Sequence, residues 1–264
     1  MDLSELKDLE NGRRHPWELA RLQIIKKQLR SLRKKRREAS LQVLDIGCGD
    51  AFVVASLAAD FQEMQFSAVD INFTEEQLSE LNIAHAGKNL AFYQNLTDIP
   101  SSDHAKTDLV MLLDVIEHIE DDLAFMSSLH QHDFITNETD FLIMVPAYPG
   151  LYSSHDDVLG HYRRYTNESL EAMLINGGFR TRHLSYFFAS LLPLRYLQVR
   201  EEKRTGTKKE HERSELVQWT KGPFLTNLVT SILTFDYTIG RLLHRVGVKM
   251  PGLSNLCICS FRES

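Results

Sequence analysis

The sequence predicts an α/β fold: a doubly wound, mostly parallel seven-stranded sheet, helices on both faces and a helical cap. Three observations carry that expectation. Apolar runs of strand length alternate with helix-length amphipathic segments along most of the 264 residues. "TDLVMLLDV" (107–115) is almost continuously apolar, as a strand buried on both faces should be. "VLDIGCGDAFVVASL" (43–57) runs from an apolar strand through a Gly-x-Gly turn into a helix, the arrangement that hands a ligand to a helix N-terminus.

The elements follow in order. Residues 16–38 read as a helix, with Pro16 suited to its first turn and Trp17, Leu22, Ile25, Leu29 and Leu32 on one stripe. A strand at 42–47 and a helix near 50–61 come next, then strands "FSAVD" (66–70) and "LAFYQN" (90–95). After 107–115, "DDLAFMSSL" (121–129) is helical, and strand "DFLIMVPA" (140–147) is stopped by Pro146 and Pro149. In "TNESLEAMLINGGF" (166–179), Thr166 is the candidate N-cap and Gly177–Gly178 the stop. "RTRHLSYFF" (180–188) and "NLCICSFRE" (255–263) close the sheet. Between them, 200–215 is nearly devoid of apolar side chains and reads as a mobile loop, and 223–247 keeps helical apolar spacing. The organisation expected is a basic helical cap (1–40), a core (41–188), a cap insertion (189–250) and a final strand (251–264).

Composition narrows the class. Hydrophobic content of 43% and charged content of 25% are those of an ordinary globular protein. Net charge is −6, yet residues 11–38 carry about +9 and the remainder about −15. Cys48, Cys257 and Cys259 give neither a disulfide framework nor a zinc pattern and suit a reducing cytoplasm. No signal peptide and no apolar run long enough to span a bilayer is expected.

The glycine turn raises the question of its ligand. A dinucleotide fingerprint needs a third glycine, and that position holds Phe52. Asp45, two residues before Gly47, would repel a phosphate but suits a ligand carrying an ammonium and a sulfonium. Asp70 ends the second strand, where a carboxylate can accept from both hydroxyls of a ribose. A ribose, positive charge and no diphosphate together describe S-adenosylmethionine.

"VLDIGCGDA", "AVDIN" and "LLDVIEHIEDD" resemble the successive motifs of the class I S-adenosylmethionine-dependent methyltransferases, in order and spacing, over roughly residues 40–188 plus the last strand. The resemblance implies a Rossmann-like fold and a cofactor site. In it Asp45, Gly47, Cys48 and Gly49 line the methionine end, with Cys48 a small filler. Asp70 and Ile71 meet the ribose side, Asn95 and Leu96 flank the adenine, and Asp114 and Val115 lie under the cofactor. Where many members hold the adenine amino group with an acidic residue, this chain has Leu96; Asp98 or a backbone carbonyl is the expected substitute. Two rival classes stay open, a non-catalytic S-adenosylmethionine-binding protein and a nucleotide-dependent oxidoreductase, the latter disfavoured by Phe52 and Asp45.

The acceptor side has no fixed motif, because the cofactor supplies the reactivity and the protein aligns the acceptor. Two segments fall where ligands sit in such sheets. Glu117 and His118 open the helix after the fourth strand, with capping and catalysis both open. "VPAYPGLYSSHDDVLGHYRRYT" (145–166) concentrates ionisable groups. There His155 and Asp156 are a candidate base and orienting partner, His161 a further catalytic candidate, and Tyr152, Tyr162 and Arg163 candidate acceptor contacts. Arg163–Arg164 is a candidate clamp for an anionic group. A structural network pinning the loop is the alternative, and metal ligation by His155, Asp156 and His161 is weighed below both, so that no metal is expected.

The N-terminal helix offers Trp17 and Arg21 to the cofactor cleft. Its basic end reads as a solvated face or an anionic-lipid contact, and the absence of interleaved aromatics argues against nucleic acid. The expected partner is a small-molecule or lipid-linked acceptor, with peripheral membrane contact through 186–199 and 223–247 set against inward packing of the same stripes.

Overall fold

The computed structural model describes residues 14–36, 40–100, 106–206 and 219–262. Its elements are α1 (Pro16–Arg36), β1 (Gln42–Ile46), α2 (Phe52–Asp60), β2 (Gln65–Val69), α3 (Glu75–Ala84), β3 (Leu90–Tyr93) and β4 (Leu109–Leu113). They continue with α4 (Asp122–Ser128), β5 (Asp140–Pro146), α5 (Ser154–Leu159), α6 (Asn167–Asn176), β6 (Phe179–Phe187), α7 (Leu192–Thr205), α8 (Pro223–Arg245) and β7 (Ser254–Phe261).

The sheet order is β3-β2-β1-β4-β5-β7-β6. The first five strands are parallel, and β7 inserts antiparallel between β5 and β6. The order in which strands are added reverses between β1 and β4, the switch point at which open sheets of this kind hold ligands. The register is level there: Ile46 lies opposite Val69 on one side and Leu112 on the other. Gly47 and Asp70 therefore leave the sheet at one height, with Asp114 one residue beyond that level on β4.

Strand alternation sorts the core into two layers. Leu109, Met111, Leu142 and Met144 face a cluster with Ile25 and Leu29 of α1, Val54 and Leu57 of α2, and Leu233 of α8. Val110, Leu112, Ile143 and Val145 face the other, with Met126 of α4 and Leu170 and Leu174 of α6. Parallel strands buried on both faces need apolar residues at every position, as 107–115 displays.

The structure departs from the sequence reading in four places. Helix α3 has no fully buried residue and offers the core only Leu78 and Leu81, too short a stripe to reveal it; Thr74 and Gln77 close its N-terminus in a capping box. Helix α5 forms within what reads as a loop, started by the same device between Ser153 and Asp156. Helix α7 runs through 200–205, part of the expected mobile loop, and 207–215 lie outside the described residues. Residues 37–38 of the expected first helix, most of the stretch before it and 263 of the final strand also lie outside them.

The fourth departure concerns α8. Its inward face is Thr226, Leu233 and Tyr237, with Tyr237 bonded to Gln28 and Lys27 Nζ donating to Thr238 Oγ1 at 3.2 Å. Most of its large apolar residues point away: Phe224 is 81% exposed and Phe235 65%, and Val246, just past its end, is 74% exposed. The two apolar stripes do not pack together as a roof; Leu194, Tyr196 and Leu197 of α7 are exposed as well.

The junction where β6 ends and β7 begins is tightly closed. Phe188 takes φ 63°, and a Cβ on Gly252 would stand 2.2 Å from the Phe187 carbonyl oxygen. Backbone cannot yield as a flexible side-chain tip does. Gly252→Ala is expected to lower the unfolding free energy by about 1–3 kcal/mol, read as an earlier midpoint in urea.

Candidate active site

The turn after β1 is built from left-handed residues. Gly47 (φ 74°), Gly49 (φ 57°) and Ala51 (φ 60°) bend the chain so that α2 starts beside the sheet edge. Gly47 has a second reason to lack a side chain: a Cβ there would lie 2.7 Å from Val115 Cγ2. Asp70 braces the turn, its Oδ2 accepting from Gly49 N at 2.8 Å and its Oδ1 from Asn72 N at 3.0 Å. Cys48 is half-buried, and the charges of Asp45 and Asp70 add to burial in pushing its thiol far up, so it stays a neutral filler.

Asp45 is buried, and its Oδ1 has no partner among the described residues. Burial pushes this carboxyl up to about 7; Arg21 opposes and Asp70 adds to the rise. An acid left dry and unpaired beside an open-backed glycine turn fits a cationic group on a ligand and repels a phosphate. Ile71 is 74% exposed at the β2 tip, an apolar surface beside Asp70. Asn95 is exposed and Leu96 half-buried after β3. Asp98, the expected substitute near the adenine, turns its Oδ2 to Asn95 N at 2.9 Å and Asn95 Nδ2 at 3.1 Å. It caps its own turn.

Helix α1 closes one side. Arg21 is buried and ion-paired with Asp114, a residue held at φ 55° directly after β4. Trp17 lies 5.3 Å beneath the Arg21 guanidinium, and Arg14 pairs with Asp50 while stacking 4.0 Å over Phe52. Phe52, where a third glycine would stand, is thus part of the seat for the residues that lead into α1.

On the far side of Asp114, the segment 152–165 is organised around Asp156, which is fully buried. His161 Nδ1 lies 2.9 Å from its Oδ1, and Arg164 Nε donates to the same oxygen at 2.7 Å. Ser153 N at 3.0 Å and Arg195 at 3.2 Å donate to Oδ2. Burial alone would raise this carboxyl, but the bonds from His161 and Arg164 hold it below the usual range.

The expected base-and-partner pair is therefore arranged differently: the Asp156 carboxylate meets His161, while His155 donates only its backbone N–H to Ser153 Oγ at 3.3 Å. Nor do Arg163 and Arg164 form an anion clamp. Arg164 is turned to Asp156 and the Ala147 carbonyl, and Arg163 to Asp122 at 2.9 Å and the Glu120 carbonyl. Tyr152 hydroxyl sits between the Asp157 carboxylate (2.9 Å) and the His161 carbonyl (2.7 Å). Tyr162 is 54% exposed, and its N–H donates to the Glu117 carbonyl at 2.8 Å. Ligation by His155, Asp156 and His161 is closed off because Asp156 already accepts from donors on four residues, Ser153, His161, Arg164 and Arg195.

Two participants escaped the sequence reading. Ser153 was legible as the first residue of a Ser-x-x-Asp box. Arg195, a lone cation in the apolar "LLPLRYLQV", signalled a buried carboxylate elsewhere. Glu117 is completely buried with neither carboxylate oxygen partnered among the described residues; burial, then Asp114, pushes it well up. Burial and His161 lower His118 to about 4, and the two imidazole rings meet edge-on at 4.6 Å.

A 3-2-1-4-5-7-6 sheet with an acidic, glycine-turned switch point defines the class I S-adenosylmethionine-dependent methyltransferases. Residues 17–184 match the methyltransferase domain family, and the chain belongs to it. The ubiquinone biosynthesis O-methyltransferase of Rickettsia typhi is 30% identical over 95 residues, 36% of this chain and 37% of that protein. The methyltransferase domain of bacterial CtHen1-C superposes with a TM-score of 0.52 at 13% identity, covering 93% of this chain and 99% of that one. A putative sarcosine dimethylglycine methyltransferase from Galdieria sulphuraria gives 0.50 at 16% identity, covering 89% and 84%. The plantazolicin methyltransferase BamL, solved with S-adenosylhomocysteine, gives 0.50 at 14% identity, covering 88% and 81%. These likenesses are of fold.

Asp45 couples stability to pH. Its folded pKa stands above the unfolded value of 3.8, so its stabilising share is present below that value and is lost as pH rises through about 7. Asp45→Asn removes the buried charge. The ligand-free variant is expected to melt at least about 2 °C above the parent at pH 8, the scale of one kcal/mol in a chain this size. The gap should narrow toward pH 5 in differential scanning fluorimetry.

Proposed function

We propose that the protein uses S-adenosylmethionine as methyl donor and transfers the methyl to an oxygen-bearing acceptor presented at a lipid surface. The observation that carries the donor is the buried, unpartnered Asp45 carboxylate beside the left-handed Gly47–Gly49 turn. Asp45 would meet the cationic methionine end, and the bare backbone of Gly47 and Gly49 lets it approach. With Gly49 N on Oδ2 and both Asn72 N and Asn72 Nδ2 on Oδ1, Asp70 keeps acceptor capacity on Oδ2 for a ribose hydroxyl. Ile71 and Leu96 would flank the base. When bound, the donor supplies an electrophilic methyl: its carbon–sulfur bond breaks as the bond to the acceptor forms, the sulfonium becomes a neutral thioether, and the acceptor's proton is lost.

The chain's own part is alignment and exclusion of water. Arg21 and Trp17 would shield the cleft from the α1 side. Asp156 positions His161, which together with His118 forms a polar wall next to Asp114, where an acceptor would be met. An oxygen acceptor also accords with the name of the Rickettsia typhi relative, an O-methyltransferase.

The lipid surface is supported by α8. Phe224, Leu228, Ile232, Phe235, Ile239, Leu242 and Val246 recur at helical spacing on its outward face, all exposed. At 23 residues the stripe runs about 35 Å. No helix among the described residues is long and apolar enough to cross a membrane. Charge selects the occupant: the helix has one carboxylate, Asp236, which accepts from Ser190, while Arg245 and Lys249 stand exposed at its end. Apolar area and cations together suit an anionic bilayer.

Two measurements test these readings. Calorimetry should show S-adenosylmethionine binding and no measurable NAD binding, with Asp70→Ala losing about 1–3 kcal/mol, the scale for hydrogen bonds to a charged group. Unchanged affinity in that variant would overturn the ribose assignment. Separately, the protein should float with anionic vesicles at low salt, where screening is weakest, and Phe224→Asp/Phe235→Asp should stay below. Parent protein that remains in the soluble fraction, or that pairs through α8 into a dimer instead, sinks the lipid reading.

A further inference from the structure

We propose that Glu117, His118 and His161 form a binding site for one first-row divalent transition-metal ion, next to Asp114 on the acceptor side. Their ligand atoms lie within 4.8 Å of one another, close enough for small side-chain adjustments to bring them around one ion. Three independent features converge on that point. Glu117 is fully buried with both carboxylate oxygens lacking a hydrogen bond among the described residues, an arrangement that a cation would satisfy directly. The short turn Ile116–His118 sets Glu117 and His118 side by side, and the Tyr162 N–H to Glu117 carbonyl bond of 2.8 Å ties the strand of chain carrying His161 to that turn. His161 bonds Asp156 through Nδ1, leaving Nε2 as its metal-binding atom.

That last bond is the arrangement by which ligating histidines are oriented: a carboxylate fixes the far ring nitrogen and makes the near one a better donor. Asp156 is unusually well anchored for such a role, by Arg164, Arg195 and the Ser153 N–H. The charged cluster of 153–164 thereby acquires a purpose as a positioning frame for one imidazole. Asp156 and its cations are positioning residues; Glu117, His118 and His161 are the ligands.

Ligand type sets the ion. Two imidazoles and one carboxylate favour zinc, cobalt, manganese or ferrous iron over magnesium or calcium, which take oxygen shells. Three protein ligands leave further positions for water or for an oxygen of the acceptor.

The test uses chelator-treated, full-chain protein titrated with cobalt(II), read by visible absorption, and with zinc, read by calorimetry. Neither donor nor acceptor is added, so the outcome is separate from that of the methyl-transfer reading. One equivalent of each ion is expected, with cobalt d–d bands and a metal-induced rise in melting temperature. Glu117→Gln, which keeps the shape and removes the charge, and His118→Ala should each weaken binding tenfold or more, at least the loss typical when a mere outer-shell partner of a ligand is removed. A melting curve in chelator shows that each variant is folded. No binding by the parent up to millimolar ion, or a loss below tenfold in folded Glu117→Gln, overturns the proposal.

Discussion

A carboxylate removed from water must find donors, a cation or a proton. At the carboxyl ends of β1, β2, β4 and β5 this protein gathers more acids than its own side chains neutralise. Asp156 is answered by donors from four residues, Asp114 by Arg21 and Asp70 by the backbone of the turn it braces. Asp45 and Glu117 are not fully answered. The two lie on opposite sides of Asp114, one beside the glycine turn and one beside the paired histidines. The pattern of satisfied and unsatisfied acids thus divides the cleft into two halves, each with one carboxylate that no described side chain fully answers.

Helix α1 joins those halves to the cap. Its inner face fills the core with Ala20, Ile24, Ile25 and Leu29, yet Arg21 on the same helix reaches Asp114. Gln28 and Lys27, a turn or two further on, hold Tyr237 and Thr238 of α8. A displacement of α8 would therefore be felt at α1, whose other contact is the residue directly after β4. Surface attachment through α8 and the geometry of the cleft share one rigid intermediary.

The central strands β1, β4 and β5 were the most legible, because parallel strands buried on both faces must be apolar almost throughout. Helix α3 was hidden for the converse reason: it covers the sheet edge without fully burying any residue, so its clearest mark is a capping box. The glycine turn with its two acids could be read because backbone sign and ligand charge restrict residue type at fixed spacing. The cluster around 155–165 could be found but not wired. Sequence proximity pairs His155 with Asp156, whereas the turn of α5 carries the carboxylate toward His161 and the distant Arg195. Which way α8 faces was equally undetermined, since a helical stripe has the same period whether it meets a core or a solvent boundary; threonines lining the inner face decided it.

The insertion of β7 between β5 and β6 has a consequence for the order of assembly. As the chain emerges during synthesis, β1 to β5 can pair in turn, but β6 has no neighbour until β7 arrives, more than sixty residues later. Throughout that interval β5 presents an open edge, and α7 and α8 are already available with their apolar residues uncovered. The sheet closes by a strand sliding into a slot between two waiting edges. Until then the nascent protein is at its most adhesive, which makes that late step the moment at which a chaperone, a bilayer or a neighbouring chain would compete for it.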